Sequence, residues 1–80
     1  MGSTGPAVAT LQQKFGKVVR RRREAAGLSQ EALADRAGLH RTYISLLERG
    51  LRMPSIQVVR QLAAALGTTM TSLISDLEGA

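Results

Sequence analysis

Eighty residues suffice for one small domain, and we expect no second one. There is no cysteine, which excludes a disulfide and a thiol nucleophile. The only histidine is His40, which we expect to be a helix-end residue rather than a catalytic one, so we expect neither a metal cluster nor a Ser-His-Asp set. Hydrophobic residues make up 44% of the chain and aromatic residues only 2%, which favours aliphatic side chains packed between helices. We therefore expect an all-α protein that is not an enzyme and that binds no metal, cofactor or small-molecule ligand.

The positive charge is concentrated in one part of the chain. The net charge is +5, and all 11 lysines and arginines precede residue 61, where they outnumber four acids to give +7. Residues 61–80 carry only two charged residues, Asp76 and Glu78. This distribution predicts a polyanionic partner for the basic part of the chain.

The two ends of the chain are expected to lie outside the folded domain. Residues 1–9 are expected to form a flexible tail, partly of vector origin, with one domain over residues 10–77 and a short tail over residues 78–80. No apolar run approaches the ~20 residues that span a bilayer. The first residues lack the basic-then-apolar order of a secretion signal. We therefore expect a cytoplasmic protein with no membrane contact.

The first helix is predicted from Thr10 to Ala26, with Gly27 at its C-terminal end. Arg23 lies four residues after Val19, on the apolar side of this helix. A buried arginine requires a carboxylate partner, because an unpaired buried charge is very costly. The other apolar residues of this side are Leu11, Phe15, Val18 and Ala26.

The second and third helices are predicted as a pair joined by a tight turn at Gly38. The second runs over residues 30–37 after the N-cap Ser29, and the third runs over residues 41–49 and ends at Gly50. The third helix has two chemically different sides. One carries Ile44, Leu47 and Glu48, and the other carries Arg41, Thr42, Ser45 and Arg49. A short helix with a packed side and a donor-rich side is typical of proteins that read the DNA major groove.

Glu48 lies one turn beyond Ile44 and therefore faces the interior of the domain. We predict that it pairs with Arg23 and so ties the third helix to the first. The polar side of the first helix is expected to carry Lys14, Lys17, Arg20, Arg21 and Arg22. The arginine run over residues 20–23 is expected mainly to raise the general electrostatic attraction for DNA.

Two further helices complete the predicted domain. Ser55 is expected to cap a fourth helix that runs through Leu66, and Thr69 a short fifth helix. The apolar residues of the fifth helix are Met70, Leu73, Ile74 and Leu77. Such a stripe is more often core than interface, yet a short terminal helix cannot bury all four residues. We therefore expect a share of them to form a dimer interface.

Several motifs occur in an order that identifies a family. Arg23, LSQEALA at the start of the second helix, Gly38, YISLLERG in the third helix and RMPS before the fourth follow one another along the chain. The segment from Phe15 to Leu73 resembles the Xre or lambda-repressor-like helix-turn-helix domain. Within that family, HRTYISLLERGLRMPS is most similar to the small controller proteins of restriction–modification systems.

The resemblance implies a compact five-helix DNA-binding domain with the helix-turn-helix at its second and third helices. It implies base contacts in the third helix, phosphate contacts around it and a buried ion pair between Arg23 and Glu48. The implied base-contact residues are Arg41, Thr42, Ser45 and Leu46. The implied phosphate-contact residues are Gln30 and Arg52, to which we add Tyr43 and Arg49. The chain departs from the family at Arg22, where an apolar residue is usual, and at Thr68, where an aliphatic residue is common.

Some of these assignments leave an alternative open. The alternative for Arg41 is a solvated surface arginine, and the alternative for Gln30 is an ordinary first-turn residue. Tyr43 can reach a phosphate or a sugar, or it can pack on the second helix. Leu46 can contact thymine methyl groups or be a tolerated exposed leucine. Short hydroxyls such as those of Thr42 and Ser45 are common on exposed helix surfaces.

The sequence thus predicts a regulator of transcription that binds double-stranded DNA sequence-specifically as a homodimer on a palindromic operator. The resemblance adds autoregulatory control of a restriction–modification operon. The alternatives are a stand-alone Xre-type repressor, or an antitoxin or protein-interaction module of another operon. A toxin-binding module would be expected to carry a tail beyond the domain, and few residues follow Leu73. A generic binder of RNA or membrane surfaces is disfavoured. Proteins that bind single strands stack aromatic side chains on the bases, and aromatic residues make up only 2% of this chain.

Overall fold

The computed structural model describes residues 9–79, which form five α-helices and, within that range, no strand. The all-α prediction is therefore confirmed. The predicted N-terminal tail lies outside the described residues except for Ala9, and the predicted boundary at residue 77 falls inside the last helix. The helices are α1 (Leu11–Ala25), α2 (Gln30–Ala37), α3 (Arg41–Glu48), α4 (Ile56–Ala65) and α5 (Met70–Gly79).

Side-chain caps fix where four of these helices begin. Thr10 forms a reciprocal capping box with Gln13, in which the Thr10 hydroxyl accepts from the Gln13 amide and the Gln13 side chain accepts from the Thr10 amide. The hydroxyls of Ser29, Ser55 and Thr69 each accept a backbone N–H in the first turn of the next helix. Each such cap is worth about 1 kcal/mol. The α3 helix begins at His40 without a side-chain cap, so its position depends on packing against the other helices.

The core is aliphatic apart from one phenylalanine. The largest fully buried side chains come from every helix, and each contributes about 1.5–3 kcal/mol of hydrophobic stabilisation. The α3 helix packs against α1 and α2, α4 packs against α2, and α5 packs against α1 and α4. The fully buried residues are Val18, Val19, Leu33, Ile44, Leu47, Leu62 and Leu73.

The turn between α2 and α3 is the tight turn that Gly38 predicts. Gly38 has φ +70°, a left-handed conformation that L side chains rarely adopt, and it ends α2. The following amide, that of Leu39, donates to the carbonyl of Ala34 at 2.9 Å. The side-chain amide of Gln61 donates to the carbonyl of Ala37 at 3.0 Å, so α4 also holds this corner. The angle between α2 and α3 is thereby fixed from two sides.

A second glycine sets the distance between α1 and α3. Gly16 is buried in the middle of α1, and a Cβ atom placed on it would overlap the backbone carbonyl oxygen of Leu47 and lie 2.7 Å from that of Glu48. The two helices therefore approach each other backbone to backbone at the C-terminal end of α3. This contact holds the inner side of α3 against the domain.

Candidate nucleic-acid interface

The two sides of α3 are separated in the structure as the sequence predicted. Ile44 and Leu47 are completely buried, whereas Arg41 and Thr42 are exposed and Ser45 and Leu46 are half-buried. All four predicted base-contact residues therefore retain accessible surface on the outer part of the helix. Whether they contact bases remains a prediction.

A cleft lies between α3 and the loop that follows it. It has a volume of about 530 Å³ and brings Arg52 of the loop to the first turns of α3. Its lining residues are His40, Thr42, Tyr43, Leu46, Arg52 and Met53. Met53 was not singled out from the sequence, because its place beside α3 depends on how the loop folds back. Four of the predicted DNA-contact residues lie in this one concave surface, namely Thr42, Tyr43, Leu46 and Arg52.

Tyr43 packs inward and also lines the cleft. Its side chain is half-buried and packs against the hydrophobic core, and it lies in the cleft lining with Arg52. A contact of Tyr43 with a phosphate or a sugar stays a prediction. Arg49 lies apart from the cleft lining, exposed at the C-terminal end of α3.

The predicted ion pair between α1 and α3 is present. Arg23 Nε donates to Glu48 Oε2 at 2.7 Å and Arg23 Nη2 donates to Glu48 Oε1 at 3.0 Å. The Arg23 side chain is 12% exposed and that of Glu48 is 3% exposed. Hydrogen bonding to Glu48 raises the pKa of the Arg23 guanidinium above its ordinary value. Its remaining nitrogen, Nη1, donates to the carbonyl of Leu28 at 2.8 Å, so the pair also holds the loop between α1 and α2.

Gln30, which the sequence predicts as a phosphate contact, also has a partner within the domain. It is half-buried, and its Nε2 donates to Glu48 Oε1 at 3.1 Å. The amide thus joins the buried ion pair across the junction of α2 and α3. Sequence reasoning missed this contact because the two residues are 18 positions apart and meet only when the helices cross. A phosphate contact from Gln30 would have to use its second N–H.

Arg22 corrects the interpretation of the arginine run. It was expected on the polar, DNA-attracting side of α1, but its guanidinium faces α5 and binds three side chains. Its Nε donates to Asp76 Oδ2 at 2.6 Å, its Nη2 to Ser72 Oγ at 2.6 Å and its Nη1 to Thr68 Oγ1 at 3.3 Å. We call these four residues the Arg22 clamp. The two departures from the family pattern, Arg22 and Thr68, are therefore partners of each other.

The Arg22 clamp also shifts the ionisation of its charged members. The hydrogen bond to Asp76 raises the pKa of Arg22, and the hydrogen bond from Arg22 lowers the pKa of Asp76 below its ordinary value. Both groups are therefore held in their charged forms. Of the other arginines in the run, Arg20 is exposed and pairs with Glu24 within α1 at 3.2 Å, and Arg21 is exposed.

The predicted dimer interface on α5 needs one correction. Leu73 is completely buried in the core of its own protomer and has no surface left for a partner. Met70 and Leu77 pack partly against the core, whereas Ile74 remains 40% exposed. A shallow cleft of about 450 Å³ runs along this side of α5. It is lined by Met70, Thr71, Ile74, Ser75 and Glu78.

Neither a metal site nor a membrane-spanning helix is found among the described residues. Residues 9–79 bring together no group of three or more His, Cys, Asp or Glu side chains that could hold a metal ion. Over the same range no helix is both long enough and apolar enough to cross a membrane.

Comparison with known proteins agrees with the five-helix fold. A helix-turn-helix family model matches residues 19–73. The control protein C.MunI from a Mycoplasma species is 41% identical over 69 residues, which cover 85% of this chain and 93% of that protein. The restriction–modification controller protein C.AhdI from Aeromonas hydrophila superposes with a TM-score of 0.76 and 44% identity, covering 78% of this chain and 94% of that one. The controller protein C.Esp1396I superposes with a TM-score of 0.82 and 29% identity, covering 90% and 92%.

These comparisons identify the family to which the chain belongs. The chain belongs to the helix-turn-helix family of DNA-binding transcriptional regulators. Within that family it is closely related to the control proteins of restriction–modification systems, with which it shares the five-helix fold. These relatives are regulators of transcription rather than enzymes.

Proposed function

We propose that this protein is a homodimeric, sequence-specific regulator that binds a palindromic operator and controls a restriction–modification operon, including its own promoter. The observation that carries this proposal is the surface of α3. Its inner side is fully buried, and its outer side combines exposed donors with Arg52 across a cleft. A rigidly held helix of this kind fits the major groove, which displays a distinct pattern of donors and acceptors for each base pair.

Base reading is assigned to the outer side of α3. Arg41, at the first turn, can donate two hydrogen bonds to O6 and N7 of a guanine, which discriminates by about 1–3 kcal/mol. Thr42 and Ser45 offer short hydroxyls for base edges. Leu46 lines the cleft and suits contact with a thymine methyl group.

Phosphate binding is assigned to residues around α3. Arg52 and Tyr43 lie together in the cleft, and Arg49 is exposed at the C-terminal end of the helix. Gln30 contributes through the N–H that Glu48 does not use. Phosphate contacts set the register of the protein on the duplex but carry no sequence information directly.

The relatives support this assignment. Crystal structures of C.Esp1396I include variants at three consecutive residues, an arginine, a threonine and a tyrosine. The same three residue types follow in the same order here as Arg41, Thr42 and Tyr43. C.AhdI and C.Esp1396I are described as restriction–modification controllers, which supports the same biological role for this chain.

Replacing Arg41 and Arg52 in turn tests whether the first residue reads bases and the second binds phosphates. Selection from a random duplex library first identifies the preferred operator, and fluorescence anisotropy then measures affinity for it and for unrelated DNA. Arg41→Ala is expected to weaken operator binding by about 1–3 kcal/mol and unrelated DNA far less. Arg52→Ala is expected to weaken both about equally and to lower the salt slope by ~1. Arg20→Ala removes an equal charge, already paired with Glu24, and serves as the control. Equal affinity of the unaltered protein for all sequences would refute sequence-specific reading.

The homodimer interface is assigned to the exposed part of α5. Two copies would face each other through Ile74 and the accessible parts of Met70 and Leu77. Binding to successive major grooves would require the two α3 helices of this dimer to lie about 34 Å apart. Ile74→Glu is expected to shift the protein toward monomer in sedimentation equilibrium, because it places a charge at the centre of an apolar contact. Ile56→Glu, at a site that is 75% exposed on α4, is the matched control. Dimerisation unchanged by Ile74→Glu would place the interface elsewhere.

The regulatory role is tested on the DNA upstream of the gene. A footprint at that promoter, and a reporter response that depends on Arg41, are the expected results. Restriction endonuclease and methyltransferase genes beside it would establish the operon. A promoter that neither binds the protein nor responds to it would rule out autoregulation.

A further inference from the structure

The α5 helix is held to the rest of the domain by few apolar contacts. Leu73 is its only fully buried residue, and Met70 and Leu77 pack only partly against the core. The remaining attachment is polar. The Arg22 clamp joins the last turn of α1 to Ser72 and Asp76 on α5 and to Thr68 just before it. These three acceptors surround Leu73 and Met70 along the chain, so the clamp acts on the segment that orients both the buried and the exposed sides of α5.

We propose that Arg22 is a positioning residue for self-association, in which the clamp holds α5 in the one docked orientation that presents Ile74 and Met70 to a second copy of this chain. The inference rests on the proposed homodimer and adds a residue that lies outside the interface. Arg22 is on α1, and each of its three guanidinium nitrogens donates to a side chain of its own protomer. Its influence on the dimer must therefore pass through the position of α5.

The dimer amplifies a local change in α5. If α5 is correctly docked in a fraction of molecules, the apparent dissociation constant rises by the inverse of that fraction for each partner. Both protomers must be docked, so the effect on a homodimer is the inverse square. A fall of the docked fraction to about one third would weaken the dimer about tenfold. A weak, local clamp can thus control assembly without contributing much to global stability.

Because the Arg22 clamp is partly exposed, its strength depends on the salt concentration. The Arg22 side chain is 29% exposed and that of Asp76 is 39% exposed, so dissolved ions reach the pair. Exposed and half-exposed pairs are screened by salt, whereas the apolar contacts of Leu73 are not. Dimerisation without DNA is therefore expected to weaken with added salt, separately from the salt effect on phosphate contacts.

Arg22→Met tests the proposal, because it keeps most of the aliphatic stem and removes all three hydrogen bonds. Dimerisation is measured by sedimentation equilibrium without DNA, at low and high salt, together with amide hydrogen exchange. We expect about a tenfold or larger rise in the dimer dissociation constant, a flatter salt dependence, and faster exchange in α5 with α2 and α3 unchanged. Arg20→Met is the matched control, since its ion pair lies within α1, and should behave as the unaltered protein.

A milder variant guards against general unfolding. Ser72→Ala removes one of the three bonds and is expected to shift dimerisation and α5 exchange in the same direction by a smaller factor. Unchanged dimerisation in both variants, with the unaltered protein dimeric, would overturn the role of Arg22 and leave the homodimer intact. An unaltered protein that stays monomeric at all concentrations would overturn both. Exchange that rises equally in all helices would show a general structural effect and overturn the positioning role.

Discussion

Replacing Glu48 with alanine is expected to lower the free energy of unfolding by about 3–5 kcal/mol, because the change leaves a charged partner buried and unpaired. The Arg23 guanidinium loses two hydrogen bonds while its side chain is only 12% exposed. Gln30 loses its acceptor as well, so the contact between α2 and α3 weakens with the contact between α1 and α3. Urea or thermal unfolding followed by circular dichroism measures the loss, which for a domain of this size is a fall in Tm of at least about 12 °C.

Two further variants separate the burial of the pair from its charge. The double variant Arg23→Met with Glu48→Met is expected to recover much of the lost stability, because apolar residues of similar volume often replace a buried ion pair at little cost. Glu24→Ala breaks the exposed pair with Arg20 and should change the free energy of unfolding by less than about 0.5 kcal/mol. An unchanged Tm for Glu48→Ala would mean that the pair does not hold α3 to the domain.

The ion pair shows what helical periodicity can predict. Arg23 falls on the apolar side of α1 and Glu48 on the inner side of α3, and each position follows from counting along a single helix. Two opposite charges on buried sides of neighbouring helices have few ways to be satisfied, so their pairing could be inferred without a structure. The same counting separated Ile44 and Leu47 from the outer side of α3.

The contacts that were missed depend on the angles at which helices cross. Arg22 was assigned to the polar side of α1, and nothing local indicated that α5 would cover it with three acceptors. Two signals were nevertheless present, since Arg22 and Thr68 both departed from the family pattern. Paired departures from an apolar pattern to a polar one suggest a contact between the two positions. Periodicity also left open which residues of the α5 stripe face inward, so it could not single out Leu73 as the fully buried one.

The close approach of α1 and α3 at Gly16 was not predicted, although the glycine itself indicates it. A glycine within a helix costs about 1 kcal/mol relative to alanine, so its presence beside Phe15 on the packed side of α1 calls for a tertiary reason. The structure supplies that reason, because the backbone carbonyls of Leu47 and Glu48 occupy the place of a side chain. The glycine therefore sets how closely the end of α3 approaches α1.

Replacing Gly16 with alanine is accordingly expected to destabilise the domain by about 3 kcal/mol, although alanine favours the helix. The added methyl group meets two backbone carbonyl oxygens, which cannot rotate away as a side chain can, so α1 and α3 must separate. Gly79→Ala, at a helical glycine with open space around it, is the control and should be nearly neutral. Chemical unfolding measures stability, and anisotropy with the selected operator measures binding under conditions where the variant is folded. Because the displaced helix is α3, operator affinity should fall even then, whereas a stable variant with unchanged affinity would show that α3 tolerates movement away from α1.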